Sequence, residues 1–258
     1  MKLHSKKYGD KGPSLIVIHG LFGMSDNWNT LGKQFAKYCK VHLVDLRNHG
    51  RSPHSTEFNY EVMCEDLLEY MQDNDILKPI ILGHSLGGKV AMKFAFTHKE
   101  KVEKLLVADI SPRRYNTDFH ENLLKTLYRL PLEDFDKREE IDAVLSESFE
   151  DRGMRLFLMK NLYRNKEKQF AWRFNIDVLL EKVSNIQEAD FIQGSCSIPT
   201  HFLRGESSNY ITAEDELIIH KHFSDFSIAT FEGAGHWIHA EQPKRFYNEV
   251  MGFCLLKD

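Results

Sequence analysis

Ile80-Ile81-Leu82-Gly83-His84-Ser85-Leu86-Gly87-Gly88 is the stretch that decides how this chain folds. An apolar triplet with the make-up of a strand buried on both faces runs straight into Gly-x-Ser-x-Gly, and Leu86 to Phe96 continue with helical spacing. Glycines at 83 and 87 permit a sharp turn that a Cβ would block, and such a turn pushes the Ser85 hydroxyl out at the carboxyl edge of a sheet. The helix that starts there directs its free N-terminal amides and its dipole at developing negative charge. Gly-x-Ser-x-Gly alone is a common coincidence. Between a strand and a helix it marks Ser85 as a candidate nucleophile, with an inert turn as the alternative.

Outward from this stretch the same rhythm repeats. Leu15 to Ile18, Val41 to Leu46 and Leu105 to Ala108 are further short apolar runs, separated by helical spacings such as Trp28, Leu31, Phe35 and Tyr38. Strand–helix–strand alternation predicts right-handed crossovers and a parallel sheet with helices on both faces. After Pro112 the rhythm changes. Only helix-like segments follow, at 118–130, 136–149, 152–164 and 176–183, before a strand at 199–203, a helix at 213–223, a strand at 226–231 and a closing helix at 243–255. The economical division is an α/β core of residues 1–112 and 195–258 with an all-helical cap inserted at 113–194, long enough to act as a lid.

Composition narrows the function classes. The 258 residues carry 34 Lys+Arg against 38 Asp+Glu, a formal charge of −4, which argues against a partner made of nucleic-acid phosphates or anionic lipid. No apolar run approaches the ~18–20 residues of a membrane helix. Met1 to Asp10 hold basic residues but no apolar segment, so a secretory signal is not expected. Cys39, Cys64, Cys196 and Cys254 lack metal-binding or redox spacing and fit free thiols in a reducing cytoplasm.

A serine hydroxyl needs a base within hydrogen-bond reach. Of 13 histidines, His236 stands out in Gly233-Ala234-Gly235-His236-Trp237, between the last strand and the last helix. His42 falls inside a strand, and His98, His120, His220 and His222 fall on polar helix faces. His236 and His239 have a metal-like spacing, but no carboxylate cluster accompanies them, so no metal is expected. Asp109 closes the Leu105–Ala108 strand at the same sheet edge as Ser85, where a buried carboxylate would be costly without a partner. His19-Gly20-Leu21-Phe22-Gly23 ends the first core strand in a glycine-bearing turn. The amides of Leu21 and Leu86 are the candidate oxyanion donors, with Phe22 the less favoured one, and losing one such donor typically costs ~3–4 kcal/mol. His19 pins its loop, and Asp45 to Ser52 form a turn whose polar groups tie down backbone.

Taken in order, HGLFG (19–23), VDLRNHGRSP (44–53), GHSLGGK (83–89), ADISP (108–112), WRFN (172–175) and GAGHWIHAE (233–241) make the chain resemble the α/β-hydrolase fold over nearly its whole length. In detail they are similar to the small bacterial YbfF-type esterases and their mitochondrial abhydrolase relatives. The resemblance implies a cofactor-free serine esterase with a helical cap, active on modest acyl chains, and a nucleophile–acid–histidine order that puts the base late, at His236. The fold's usual acid position falls near residue 208, where this chain has Ser208; Glu206 lies too early and Asp215 within the next helix. In the resembled group the acid follows the strand before the cap, which maps onto Asp109. A serine near a fourth catalytic position maps onto Ser208, a candidate fourth member whose hydroxyl could hydrogen-bond the same histidine or stay apart from it. The chain departs from the fold at its start, where Met1 to Tyr8 leave room for one short strand instead of an opening hairpin.

For substrate contact, Phe22, Trp172 and Trp237 are the candidates. Phe119, Leu123, Leu127, Phe157, Leu158 and Leu162 add apolar area in the cap, much of it seating the cap on the core. An acyl chain would bury there at ~0.8 kcal/mol per methylene. Basic side chains at Arg152, Arg155, Lys160, Arg164, Lys166, Lys168 and Arg173 make a solvated face the default, and a seat for a phosphate-bearing acyl-CoA thioester the sharper alternative. The expected partner is a small acyl ester or thioester, hydrolysed through an acyl-enzyme. The rivals are a carbon–carbon bond hydrolase or lyase with the same residues, and a hydrolase-fold binding protein without turnover.

Overall fold

A computed structural model describes residues 1–187 and 192–256. In chain order the core opens with β1 (Ser5–Tyr8), β2 (Ser14–Ile18), α1 (Asn29–Phe35), β3 (Lys40–Val44), α2 (Tyr60–Asp73), β4 (Ile80–His84), α3 (Leu86–Thr97) and β5 (Lys104–Ala108). The insertion follows as α4 (Asp118–Tyr128), α5 (Arg138–Ser148), α6 (Arg152–Met159), β6 (Leu162–Arg164), β7 (Phe170–Trp172) and α7 (Ile176–Lys182). The core then resumes with β8 (Thr200–Gly205), α8 (Ala213–His222), β9 (Phe226–Phe231), α9 (Ile238–Glu241) and α10 (Pro243–Leu255).

Seven strands form one sheet in the order β1-β3-β2-β4-β5-β8-β9. β1 runs antiparallel to β3, as the single short opening strand expected, and every other neighbour pair is parallel. The apolar runs alternate into two cores. Ile16, Ile18, Ile81, Leu105, Val107 and Phe202 face one side, together with α2, α3 and the insertion. Leu15, Val17, Leu82, Leu106, Ala108 and Leu203 face the other, with α1 and α10. A sheet covered on both faces explains why its strands read as unbroken apolar runs. Local signals place the helices: Asn59 accepts from Val62 N at 3.0 Å to start α2, and Thr212 and Asp215 form a capping box on α8. No helix among the described residues is long and apolar enough to cross a membrane.

The insertion is mostly helical but not wholly so, which corrects the all-helical expectation. The helix expected at 152–164 stops at Met159, and Leu162–Arg164 pairs antiparallel with Phe170–Trp172 in a separate two-stranded sheet. Three-residue strands are too short to display a period of two, so nothing in the pattern announced them. Residues 188–191 of the expected insertion lie outside the described residues.

Candidate active site

The carboxyl ends of β2, β4, β5, β8 and β9 carry the sequence-nominated groups, as open α/β sheets generally place their sites. Because β4, β5, β8 and β9 are neighbours in that order, their following residues converge. Ser85 N donates to Ala108 O at 3.0 Å, and Asp109 N donates to Leu203 O at 2.8 Å.

Ser85 sits half-buried in a backbone conformation of φ 52° and ψ −118°, a region that costs about 1–3 kcal/mol for a residue with a side chain and persists only where the surroundings impose it. The surroundings do so here. A Cβ on Gly83 would lie 2.2 Å from Gly87 O, and one on Gly87 would lie 2.4 Å from Ile18 O. Both contacts are with backbone that cannot move aside, so the turn can be this tight only with glycine on either side of the serine.

Asp109 is fully buried and also left-handed, at φ 48°. Its Oδ1 accepts from Gly205 N at 2.9 Å, and its Oδ2 accepts from His236 Nδ1 at 2.7 Å. Ser208 Oγ donates to the same Oδ2. Three donors satisfy a charge that would otherwise be costly to bury. Of the two alternatives left open for Ser208, contact with His236 is not the one observed: its hydroxyl meets the carboxylate instead. Glu206 is exposed and accepts from Gly233 N at 2.8 Å. Asp215 is buried as the cap of α8 and accepts from Ser111 Oγ at 2.7 Å.

With Nδ1–H donated to a carboxylate, the His236 ring keeps its lone pair on Nε2. The ring stacks on Tyr210 at 4.1 Å between centroids. Its backbone is clamped by Glu241, which accepts from Gly235 N at 2.7 Å and from Trp237 N at 3.1 Å. The His236 carbonyl accepts from His84 Nε2 at 2.9 Å. Burial, with His236 and His239 nearby, holds His84 well below the ordinary imidazole range, so it serves as a neutral donor. Ser85 and His236 line one cavity. No hydrogen bond joins them among the described residues; such pairs commonly tighten only when substrate binds.

The turn after β2 is pinned as expected. His19 Nδ1–H donates to Gly20 O at 2.8 Å while Nε2 accepts from Leu46 N at 3.0 Å. Phe22 adopts φ 61°, and its carbonyl accepts from Asn161 Nδ2 of the cap at 2.8 Å. The amides of Leu21, Phe22 and Leu86 donate to no protein acceptor among the described residues. The Asp45–Ser52 turn is structural: Asp45 accepts from Ser25 N at 2.5 Å and Arg51 N at 2.8 Å. Arg47 forks onto the buried Asp66 at 2.6 and 2.8 Å.

The shared cavity has a volume of ≈ 380 Å³. Phe22 and Trp237 line it, as do Phe119, Leu123, Phe157 and Leu158 from the cap. Trp172 does not, which corrects its nomination. It lies on β7, where alternation turns both Phe170 and Trp172 inward, and its ring stacks on Phe174 at 5.2 Å with Nε1 donating to Leu127 O at 3.4 Å. His239 is stacked on Trp28 at 4.3 Å, and no group of three or more metal-binding side chains occurs among the described residues. Sequence reasoning missed His84, Tyr210, Glu241, Asn161 and His120. Glu241 was legible in principle, since a carboxylate a few residues beyond a histidine turn can cap that turn's amides.

Comparison with known proteins agrees with this architecture. An E. coli protein named esterase YbfF is 30% identical over 231 residues, covering 89% of this chain and 88% of its own. A mouse sn-1-specific diacylglycerol lipase is 34% identical over 248 residues, covering 93% and 80%. A solved marine microorganism esterase superposes with a TM-score of 0.94 at 39% identity, covering 98% of this chain and 99% of that one. The model of the alpha/beta hydrolase family matches residues 15–249. The chain belongs to the alpha/beta hydrolase family.

Proposed function

We propose that the protein hydrolyses short- to medium-chain carboxylic esters through a covalent acyl-enzyme formed on Ser85. The carrying observation is the 2.7 Å hydrogen bond from His236 Nδ1 to the buried Asp109, with Ser85 on its elbow in the same cavity. Ser85 Oγ attacks the acyl carbon as His236 Nε2 takes its proton. The oxyanion is held by backbone amides, of which Leu21 and Leu86 are our assignment, and the alcohol leaves with the proton from His236. Water repeats the sequence on the acyl-enzyme and releases the acid. Asp109 holds the tautomer and stabilises the imidazolium. Residues 113–194 act as the cap over the site, and the four buried free thiols suit a cytoplasmic setting.

Relatives named as an esterase and a lipase support hydrolysis of small-molecule esters. Seven basic side chains of residues 152–173 give little support to an acyl-CoA seat, because none lines the cavity. Arg155 is bonded to Asp142, Phe149 O and Glu150 O, and Arg164 lies over the Phe170 ring at 3.9 Å. The test is a series of p-nitrophenyl esters from acetate to laurate, run beside acyl-CoAs and diketones, with wild type and Ser85→Ala. Ester hydrolysis falling about a thousandfold or more in the variant is expected. Near-wild-type activity in a folded Ser85→Ala protein overturns the reading.

A further inference from the structure

His120 carries an inference beyond that reading, although it rests on it. The residue lies on α4 of the cap, where positions 120, 124 and 127 share one face; Leu124 and Leu127 on that face are buried. His120 is thus the imidazole on an otherwise apolar face, not a member of the polar one. It lines the main cavity with Ser85, His236 and Tyr210, and it also lines a second, smaller cavity that shares Ser85 and Tyr210.

Its ring makes no hydrogen bond among the described residues, and Nδ1 is buried without a partner. Several other polar side chains of the cavity are bonded to protein groups. His19 and His84 bond backbone, Asn27 accepts from Met24 N at 2.8 Å, and Asp151 caps α6 by accepting from Gly153 N at 2.7 Å. His239 also has its Nδ1 buried without a partner, but its ring face is covered by the Trp28 indole stacked on it and its place is in the core, not on the cap. A buried polar group with no protein partner calls for one from solvent or ligand.

We propose that His120 is a specificity-determining residue: its imidazole hydrogen-bonds an uncharged oxygen, hydroxyl or carbonyl, that the substrate carries close to the scissile ester. The enzyme then prefers oxygen-substituted esters over hydrocarbon esters of the same size. Burial first, and then the neighbouring His236, push His120 down to about 4, so near neutrality the ring is uncharged and offers one donor and one acceptor. That suits a hydroxyl or a carbonyl and gives an anionic group no counter-charge.

The test uses matched pairs in a pH-stat assay. On the alcohol side, 2-hydroxyethyl butyrate is compared with propyl butyrate; on the acyl side, methyl 3-hydroxybutyrate is compared with methyl isovalerate. In at least one pair, wild type should favour the oxygen-bearing member in kcat/KM by about tenfold. His120→Phe should bring that ratio to within about twofold of unity, and His120→Gln, which can still hydrogen-bond, should restore part of it. Each ratio is taken on one preparation, so loss of folded protein cancels. Equal kcat/KM within both pairs in wild type, or a ratio unchanged in His120→Phe, overturns the proposal. If wild type hydrolyses no ester, the esterase reading fails and takes this proposal with it. Ser85-dependent hydrolysis without the preference removes His120 alone.

Discussion

Ser208 Oγ donates its hydrogen bond to Asp109 Oδ2 and not to the His236 ring. The oxygen it meets is the one that accepts from His236 Nδ1, so the serine is linked to the imidazole only through the carboxylate. Ser208→Ala should therefore lower kcat by about tenfold with KM little changed, the size expected for one hydrogen bond to a charged group. Steady-state kinetics on a p-nitrophenyl ester measure it. A kcat equal to wild type would make Ser208 a loop residue only.

Asp109→Asn keeps shape while removing charge and leaving His236 free to adopt the wrong tautomer. A loss of kcat of about a thousandfold to ten-thousandfold is expected. A loss below about tenfold would mean that another group orients the ring.

Asn161 ties the cap to the turn beside Ser85, donating to Phe22 O at 2.8 Å and to Leu158 O at 3.2 Å. Asn161→Leu leaves the Phe22 carbonyl unpartnered and frees the turn that presents the Leu21 amide. We expect a stability loss of about 1–3 kcal/mol, read as a Tm lowered by several degrees, together with kcat lowered about tenfold. A lowered Tm with unchanged kcat would show that the turn holds its shape without the cap.

His49 and His239 are buried, and burial pushes each down to about 3. In the unfolded chain a histidine titrates near ~6.5. Between those values the unfolded state binds more protons, so stability is fully present above about pH 6.5 and drains as pH falls, at up to about 1.4 kcal/mol per pH unit per imidazole. Urea midpoints should fall steadily from about pH 7 to about pH 5, and less steeply in His49→Gln. Constant midpoints over that range would contradict the assignment of these rings as neutral in the folded state.

How far these features were legible depended on how local their signals are. The elbow was readable because its apolar triplet and its two glycines are adjacent in sequence, and the packing that forbids a Cβ at Gly83 and Gly87 is within the turn or one strand away. Asp109 was readable from its place at the end of an apolar strand. Whether Ser208 meets the ring or the carboxylate depends on the course of the loop after Gly205, which no local pattern encodes. Trp172 was misplaced because its strand has three residues, too few to reveal which face turns inward. His120 was set on a polar helix face, whereas the buried Leu124 and Leu127, one and two turns on, decide its direction.

The measurement that bears most directly on the central claim is peptide mapping after reaction with a fluorophosphonate, followed in parallel with ester hydrolysis. One adduct, on the Ser85 hydroxyl, with activity lost in proportion to labelling, is the predicted result. An adduct on any other residue, or hydrolysis persisting in fully labelled protein, would contradict it.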